Sequence, residues 1–298
     1  MKEKIFILPS HVIEQTKWDH CIETNHNGLF YAQYDYLDNI CDQWHGLVVD
    51  DYKAVMALPW RKKYGIRYYY TPPFIQQLGL IGDTAIADVE QFTRKIHQFA
   101  WYGHLNLNFS NHVLAQTMKA TPKTNFIIDL KKGYEAIYQS YSVDLKQILR
   151  KENTSFQYTD NKPIADIIDE YKSLYGQRMP HISTEDFTRL NITCKHFAFE
   201  GSCITRSITT DDGRYLSSTL LLIDNKRIYH LLNTTSSEGR KLNSNHHLLD
   251  MVLKEFAGKE LIFDFEGSEI DGVKTFYKKF GGVNQPYFQY HRNAFRGI

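Results

Sequence analysis

Residues 263–282, FDFEGSEIDGVKTFYKKFGG, decide how this chain is interpreted. The apolar run 261–265 predicts a strand, and successive side chains of a strand point to opposite faces. Asp264 therefore lies opposite the two phenylalanines, and Glu266 follows on the side of Asp264 if the strand continues. A glycine then breaks the strand, and a short aromatic and basic helix follows at 272–280. The pattern predicts two carboxylates that face a cleft at the end of a strand.

Composition limits the class of protein. The chain has 298 residues, 42% of them apolar, and a formal net charge of +1. This length predicts two domains of about 150 residues each, and the balance of charges argues against a broad DNA-binding surface. The apolar run 5–8 is too short for a signal peptide, and no segment approaches the ~20 apolar residues of a membrane span. We expect a globular, cytoplasmic protein with no DNA partner and no membrane span.

The cysteines and histidines predict no metal site. The four cysteines are Cys21, Cys41, Cys194 and Cys203. They include no C-x-x-C pair, so we expect buried free thiols and neither a zinc site nor a disulfide framework. The neighbouring histidines 246 and 247 begin a predicted helix and have no further ligand at suitable spacing.

A similar order of predicted elements appears twice along the chain. The first half shows a strand at 4–8, helices near 12–24 and 32–44, strands at 46–51, 52–60 and 66–71, a helix across 85–100, and strands at 104–108 and 125–130. The second half shows helices near 163–175 and 184–190, strands at 203–210, 215–223 and 227–233, a helix at 245–256, and strands at 261–265 and 287–291. Asp-Asp-Gly at 211–213 and Asp-Asn at 224–225 are hairpin turn signals. The pattern predicts an α+β protein with duplicated domains, 1–150 and 151–298, joined near 150–161.

This order of elements resembles a known fold. Two helices, a β-meander, a crossover helix and a strand are similar to the GNAT acyltransferase fold. The doubled order, closed by D-F-E-G-S, a spacer and F-Y-K-K-F-G-G, resembles the Fem-type transferases of cell-wall peptide bridges and the related tandem GNAT-like acyltransferases. The resemblance covers most of the chain in element order, but only 263–282, and more weakly 234–249, as motifs. It implies two tandem GNAT-like domains, each a mixed, mostly antiparallel sheet flanked by helices.

The resemblance also implies an activity. It implies transfer of an acyl or aminoacyl group to the amine of a small molecule or peptide, in a cleft between or within the two domains. Acyl-coenzyme A or aminoacyl-tRNA would be the donor substrate, and no tightly bound cofactor is expected. An attacking amine must lose a proton, and the developing oxyanion needs donors. Asp264 or Glu266 would accept the proton or orient the amine, and Tyr277 and Lys278 would contact the donor or stabilise charge.

The end of the predicted strand has two interpretations. Gly267 and Ser268 would let a ligand or another backbone come close, which makes Ser268 a candidate for substrate binding. In the alternative, the carboxylates play no catalytic part, and Ser268 or Asp271 caps the helix that follows. The same helix has Tyr277 where the Fem-type pattern F-K-x-x-F-G has a lysine implied to handle the aminoacyl donor, with Lys278 next to it.

Further candidate substrate contacts lie upstream. GNAT enzymes that use acyl-coenzyme A hold its pyrophosphate on backbone amides of a Q/R-x-x-G-x-G/A loop. The corresponding stretch 235–241, TSSEGRK, includes Ser236 and keeps only the middle glycine, Gly239, so we expect weak coenzyme A binding. Arg240 and Lys241 are candidate anion contacts, or else solvated charges. Arg206 is an unusual charge in an apolar strand and would face the cleft, or else an exposed strand face.

A different class of function competes with the enzyme hypothesis. A protein could keep the two-lobed fold, lose the donor site and act as a non-catalytic ligand-binding protein. The missing loop glycines and the displaced lysine of the last helix favour this alternative. Binding of acyl donors distinguishes the two hypotheses.

Overall fold

The computed structural model describes residues 3–83, 89–151, 156–267 and 269–295. Contacts divide the chain into two units, the first containing 1–124 and 286–298 and the second containing 125–285. Each unit has its own buried apolar cluster. The predicted domain limits, 1–150 and 151–298, differ from this division at both ends. Residues 125–150 pack in the second unit, and the last residues return to the first.

Among its described residues, the first unit begins with seven strands and four α-helices. The strands are β1 (Ile5–Pro9), β2 (Trp44–Val49), β3 (Ala54–Lys63), β4 (Ile66–Tyr69), β5 (Leu80–Gly82), β6 (Tyr102–Leu107) and β7 (Thr121–Lys123). The helices are α1 (Gln15–Thr24), α2 (Tyr34–Ile40), α3 (Val89–Phe99) and α4 (His112–Thr117). The helix predicted at 85–100 is α3, although residues 84–88 lie outside the described part of the chain. The short elements β5, β7 and α4 were not predicted.

The part of the second unit that the structure describes contributes the next seven strands and seven α-helices. The strands are β8 (Phe126–Asp129), β9 (Gln157–Thr159), β10 (Cys203–Thr209), β11 (Tyr215–Ile223), β12 (Arg227–Thr235), β13 (Ile262–Asp264) and β14 (Val283–Asn284). The helices are α5 (Gly133–Gln139), α6 (Val143–Leu149), α7 (Ile164–Tyr175), α8 (Thr184–Phe199), α9 (Ser237–Lys241), α10 (Ser244–Phe256) and α11 (Asp271–Lys279). The last strand, β15 (Tyr287–Asn293), belongs to the first unit. Helix α8 continues beyond its predicted end at 190.

The two sheets have the same strand order. The first sheet runs β1-β2-β3-β4-β6-β15-β7, with β5 attached to β3 as an additional strand. The second sheet runs β9-β10-β11-β12-β13-β8-β14, so that β9 corresponds to β1, β13 to β6 and β8 to β15. Each contains one parallel pair, β4–β6 in the first and β12–β13 in the second. The other pairs of named strands are antiparallel. The predicted α+β class and the repeated order of elements are confirmed.

Strand exchange explains the shifted domain limits. β8 lies in the first half of the chain but pairs with β13, Ile128 opposite Phe263. β15 lies at the end of the chain but pairs with β6, Tyr290 opposite Leu105. Each sheet is therefore completed by a strand from the other half of the sequence, which alternation within a strand cannot predict.

Local sequence accounts for the elements around the candidate site. The turn before β12 is closed by Asp224, whose Oδ1 accepts the backbone N–H groups of Lys226 and Arg227. The helix α10 has one apolar face, which packs into the core of the second unit and includes the predicted residues Leu248, Leu249, Val252 and Phe256. This buried face holds α10 against the sheet at β10 and β11.

Candidate functional site

The candidate site lies where β12 and β13 separate. The two strands pair only over residues 227–229 and 262–264, after which β12 continues to Thr235 and β13 ends. A β-bulge occurs in β12, because Leu220 pairs with Leu232 while the next residue of β11 pairs with His230. The bulged residue, Leu231, lines a cavity of about 700 Å³ within the second unit. Bulges commonly re-aim side chains beside binding sites.

Four segments line this cavity. They are β12 (His230, Leu231, Asn233, Thr235), the end of α7 with the following turn (Tyr171, Tyr175, Arg178, Met179), α9 with the start of α10 (Gly239, Arg240, Asn243, Asn245, His246), and the end of β13 with α11 (Phe265, Glu266, Gly267, Ile270, Gly272, Val273, Phe276, Tyr277). The lining combines aromatic rings, one carboxyl group and two guanidinium groups. Such a largely apolar concave site with a few polar groups suits a small ligand.

Glu266 is the carboxyl group that faces the cavity. Its backbone has φ of +62°, a conformation that is rare for residues other than glycine and clusters at functional sites. Its Oε1 is buried and has no hydrogen-bond partner among the described residues. Removal from water raises the pKa of Glu266 to about 8. A carboxylate with this pKa is a stronger proton acceptor than an exposed one.

Asp264 does not face the cavity, so the prediction that both carboxylates would do so is wrong. Its Oδ2 lies 2.9 Å from Nη1 of Arg227, and the two side chains are 1% and 2% exposed. Nη2 of Arg227 also donates to Oε1 of Gln285 at 2.8 Å. The strand ends at Asp264 and the chain turns at Glu266, so the alternation of a strand does not carry both carboxylates to one side.

The last helix supplies an aromatic wall. Tyr277 lines the cavity, and its ring stacks on Phe265 with centroids 4.4 Å apart. Burial, with the nearby charge of Glu266, raises the pKa of Tyr277 above its usual value, so its hydroxyl stays protonated and can donate. Lys278 is not among the lining residues, and its Nζ lies 5.9 Å from the Phe126 ring centroid. The tyrosine, and not the lysine, is therefore the polar group that α11 presents here.

The described residues test part of the alternative in which a side chain caps α11. The N-cap residue of α11 is Ile270, whose side chain makes no capping hydrogen bond. Asp271 is the first helical residue, so it is not the cap. Ser268 lies outside the described residues.

The predicted anion-binding residues separate into two groups. Gly239 and Arg240 line the cavity, whereas Ser236 and Lys241 do not. Ser236 is the N-cap of α9, and its Oγ accepts the N–H of Gly239 at 3.0 Å. A Cβ atom at Gly239 would lie 2.2 Å from the carbonyl oxygen of Leu216. The glycine is thus required for packing against β11, and its N–H is already bonded.

Arg206 is not among the residues that line the cavity, so of its two predicted positions the one in a cleft finds no support there. Its Nε donates to Oε2 of Glu255 at 2.8 Å, and its Nη1 donates to the carbonyl oxygen of Thr205. The phenol of Tyr158 donates to the same glutamate. This ion pair raises the pKa of Arg206 and lowers that of Glu255. The arginine therefore joins β10 to α10.

The lining residues that were not predicted include His230 and Arg178. His230 is 5% exposed, and both its ring nitrogens lack a hydrogen-bond partner among the described residues. Burial lowers the pKa of His230 to about 4. The sequence does contain a signal for His230, because a histidine inside the apolar strand RIYHLLN is unusual. Arg178, in the turn after α7, has no comparable signal in the sequence. Neither Arg178 nor Arg240 forms an ion pair with a described carboxylate.

Other kinds of site have no support in the described residues. No group of three or more His, Cys, Asp or Glu is arranged there to hold a metal ion. All four cysteines are buried, and none of them forms a disulfide. In the same part of the chain, no helix has the length and apolar character needed to cross a membrane.

Two sheets of identical strand order, each with one parallel pair and flanking helices, define a tandem GNAT-like α+β fold. Solved structures with this fold include FemX, at 13% identity, a TM-score of 0.66 and 97% coverage of each chain. A conserved protein of unknown function from Bacteroides thetaiotaomicron has 10% identity, a TM-score of 0.63 and coverages of 94% and 98% for this chain and its own.

A third similar structure is a tandem GNAT protein from the clavulanic acid biosynthesis pathway, without AcCoA, at 9% identity, a TM-score of 0.57 and coverages of 98% and 99% for this chain and its own. No family model and no curated protein matches the chain. The predicted resemblance to Fem-like tandem GNAT proteins is confirmed for the fold. Identities this low say nothing about activity.

Proposed function

We propose that this protein is a transferase that moves an acyl or aminoacyl group to an amine acceptor in the cavity of its second unit. The observation that carries the proposal is Glu266, a cavity-facing carboxyl group with an unpaired Oε1 and a raised pKa. Strongly perturbed carboxyl groups in a cavity are typical of proton-transfer sites. The fold shared with FemX and the tandem GNAT protein is consistent with this chemistry.

Glu266 and Tyr277 have different roles in the proposed reaction. Glu266 accepts a proton from the acceptor amine as the amine nitrogen attacks the acyl carbon. Tyr277 keeps its proton and donates a hydrogen bond to the developing oxyanion or to the leaving group. The new C–N bond replaces the C–O or C–S bond of the donor. The proton held by Glu266 then passes to the departing oxygen or sulfur.

Arg178 and Arg240 are the proposed contacts for a phosphate-bearing donor. Both guanidinium groups line the cavity without a carboxylate partner among the described residues, and guanidinium groups bind phosphate through paired hydrogen bonds. Aminoacyl-tRNA or an acyl-coenzyme A would satisfy them. Ser236 already occupies the N–H of Gly239, so we propose that acetyl-coenzyme A binds weakly.

The competing proposal is a non-catalytic ligand-binding protein. It is favoured by the same bond between Ser236 and Gly239, which removes an amide that a pyrophosphate would need. Both proposals place the ligand in the same cavity, but only the transferase requires the carboxyl group of Glu266 for product formation.

One measurement tests the proposed weak binding of acetyl-coenzyme A, and a second tests the proposed transferase activity. Isothermal titration with acetyl-coenzyme A should detect no binding in the micromolar range. Mass spectrometry should detect amide products when acyl and aminoacyl donors are incubated with a panel of amines. Glu266→Gln should remove the product, and Glu260→Gln, an exposed glutamate paired with Lys131, should not. Equal product from wild type and Glu266→Gln would contradict the mechanism. Saturable binding with no product from any donor would favour the non-catalytic protein.

A further inference from the structure

His230 is a buried polar group on the cavity wall that the proposed chemistry does not use. Its ring centroid lies 5.8 Å from that of Phe263, 6.4 Å from that of Phe265 and 6.4 Å from that of Tyr277. Neither Nδ1 nor Nε2 has a hydrogen-bond partner among the described residues. The side chain nevertheless belongs to the lining of the 700 Å³ cavity.

An unpaired imidazole in this position needs a partner. Buried polar groups in proteins are almost always hydrogen-bonded, and an orphaned group lowers stability. Burial lowers the pKa of His230 to about 4, so the ring is neutral at pH 7 and carries one donor and one acceptor nitrogen. The surrounding rings leave the cavity as the place from which a partner can come. In the free protein, water can serve.

The ligand must then replace that partner. An aliphatic chain that displaces water from His230 would leave both ring nitrogens unpaired. A group that carries a hydroxyl, amide or amine at the same position would restore a hydrogen bond. Sites built to bond a polar atom discriminate strongly against analogues that lack it, because their own polar groups are left unpaired. Nδ1 of His246 and Oε1 of Glu266 also lack a partner among the described residues and line the same cavity, which adds to this preference.

We propose that His230 is a specificity-determining residue that hydrogen-bonds a polar atom of the transferred group and selects polar acyl groups over aliphatic ones of equal size. This inference rests on the proposed function for the statement that the bound group is the one transferred. The selection itself is a property of binding. It therefore does not depend on catalysis by Glu266.

Isosteric probes measure the selection. The probes are N-acetylcysteamine thioesters in two pairs, 3-hydroxybutanoyl with 3-methylbutanoyl and 2-hydroxybutanoyl with 2-methylbutanoyl. In wild type, the hydroxyl member of at least one pair should bind about tenfold to a hundredfold more tightly. His230→Phe should abolish the difference, and His230→Gln, which keeps a donor and an acceptor, should retain most of it. His247 does not line the cavity, so His247→Phe should leave the difference in affinity unchanged.

A measurement on wild type covers the case in which His230→Phe does not fold. The ¹⁵N resonances of the His230 ring should shift on saturation with the hydroxyl probe and not with its methyl isostere. Equal affinities within both pairs, no binding of any probe at millimolar concentration, or selection that survives in His230→Phe would each overturn the inference. Selection by His230 with unaltered turnover in Glu266→Gln would instead overturn the proposed function and leave the inference standing.

Discussion

Oδ1 of Asp264 accepts a hydrogen bond from the backbone N–H of Glu266 at 3.0 Å. The other oxygen of Asp264 is paired with Arg227. One carboxylate of the motif thus fixes the backbone that presents the other, and the two acidic residues have different roles. Asp264 supports the positive φ of Glu266, and Glu266 faces the cavity.

Asp264→Asn should destabilise the second unit, because it removes the carboxylate charge that pairs with the buried guanidinium of Arg227. Breaking such a pair costs about 3–5 kcal/mol. Urea unfolding should show that the free energy of unfolding falls by an amount near the lower of these values. Asp144→Asn, which removes an exposed pair with Lys279, should cost less than about 1 kcal/mol. Similar losses for both variants would contradict the structural role of Asp264.

Glu266→Gln should lower turnover about 100-fold or more and yet stabilise the protein at alkaline pH. The pKa of Glu266 is raised from 4.5 to about 8, so the folded state holds a proton that the unfolded state loses between these values. Stability from this group therefore falls as pH rises from 4.5 to 8. Removing the charge should increase the free energy of unfolding by more than about 1 kcal/mol at pH 9.

The pH dependence of stability and of the reaction rate tests the role of Glu266. At pH 4 the glutamic acid and glutamine side chains are both neutral, so the difference in stability should vanish there. The wild-type rate should rise with pH up to about 8, when the Glu266 carboxylate forms. A rate that is flat from pH 6 to 9, or a variant destabilised at pH 9, would show that Glu266 is not the proton acceptor.

Arg240→Gln and Arg178→Gln should each weaken binding of a phosphate-bearing donor about tenfold without lowering the melting temperature, since both side chains are exposed and lack described ion pairs. Lys241→Gln is the matched control, because Lys241 neighbours Arg240 but does not line the cavity. Arg206→Gln should reduce stability by about 1 kcal/mol through loss of its pair with Glu255. Donor titrations and thermal melts separate these effects.

Gly239→Ala should destabilise the protein, because its Cβ would lie 2.2 Å from a backbone oxygen that cannot move without distorting β11. Gly272→Ala is the control, since nothing lies within 4 Å of a Cβ atom there and the residue is helical. Alanine should stabilise that position by up to about 1 kcal/mol. Equal melting temperatures for both variants would refute the packing role of Gly239.

Much of the fold could be predicted because each element has a local signal. The turn at 211–213 and the alternation of β10 and β11 identify a hairpin, and the apolar face of α10 identifies a buried helix. Glu266 could be predicted as a candidate because a strand, an acidic residue and a glycine are adjacent in the sequence. The repeated order of such signals predicts an α+β protein with duplicated domains, and the resemblance of that order to a known fold implied the tandem GNAT-like architecture.

The sequence by itself determined the type and order of the elements, since propensity and periodicity act over a few residues. Tertiary structure decided which strand completes each sheet, which carboxylate meets Arg227, and which guanidinium groups remain available at the cavity. Arg206 meets Glu255 from 49 residues away, and Arg227 meets Asp264 from 37 residues away. Such pairings depend on where the chain returns after many turns, and the unpaired state of His230 depends on every neighbour at once. Local residue patterns contain neither kind of information.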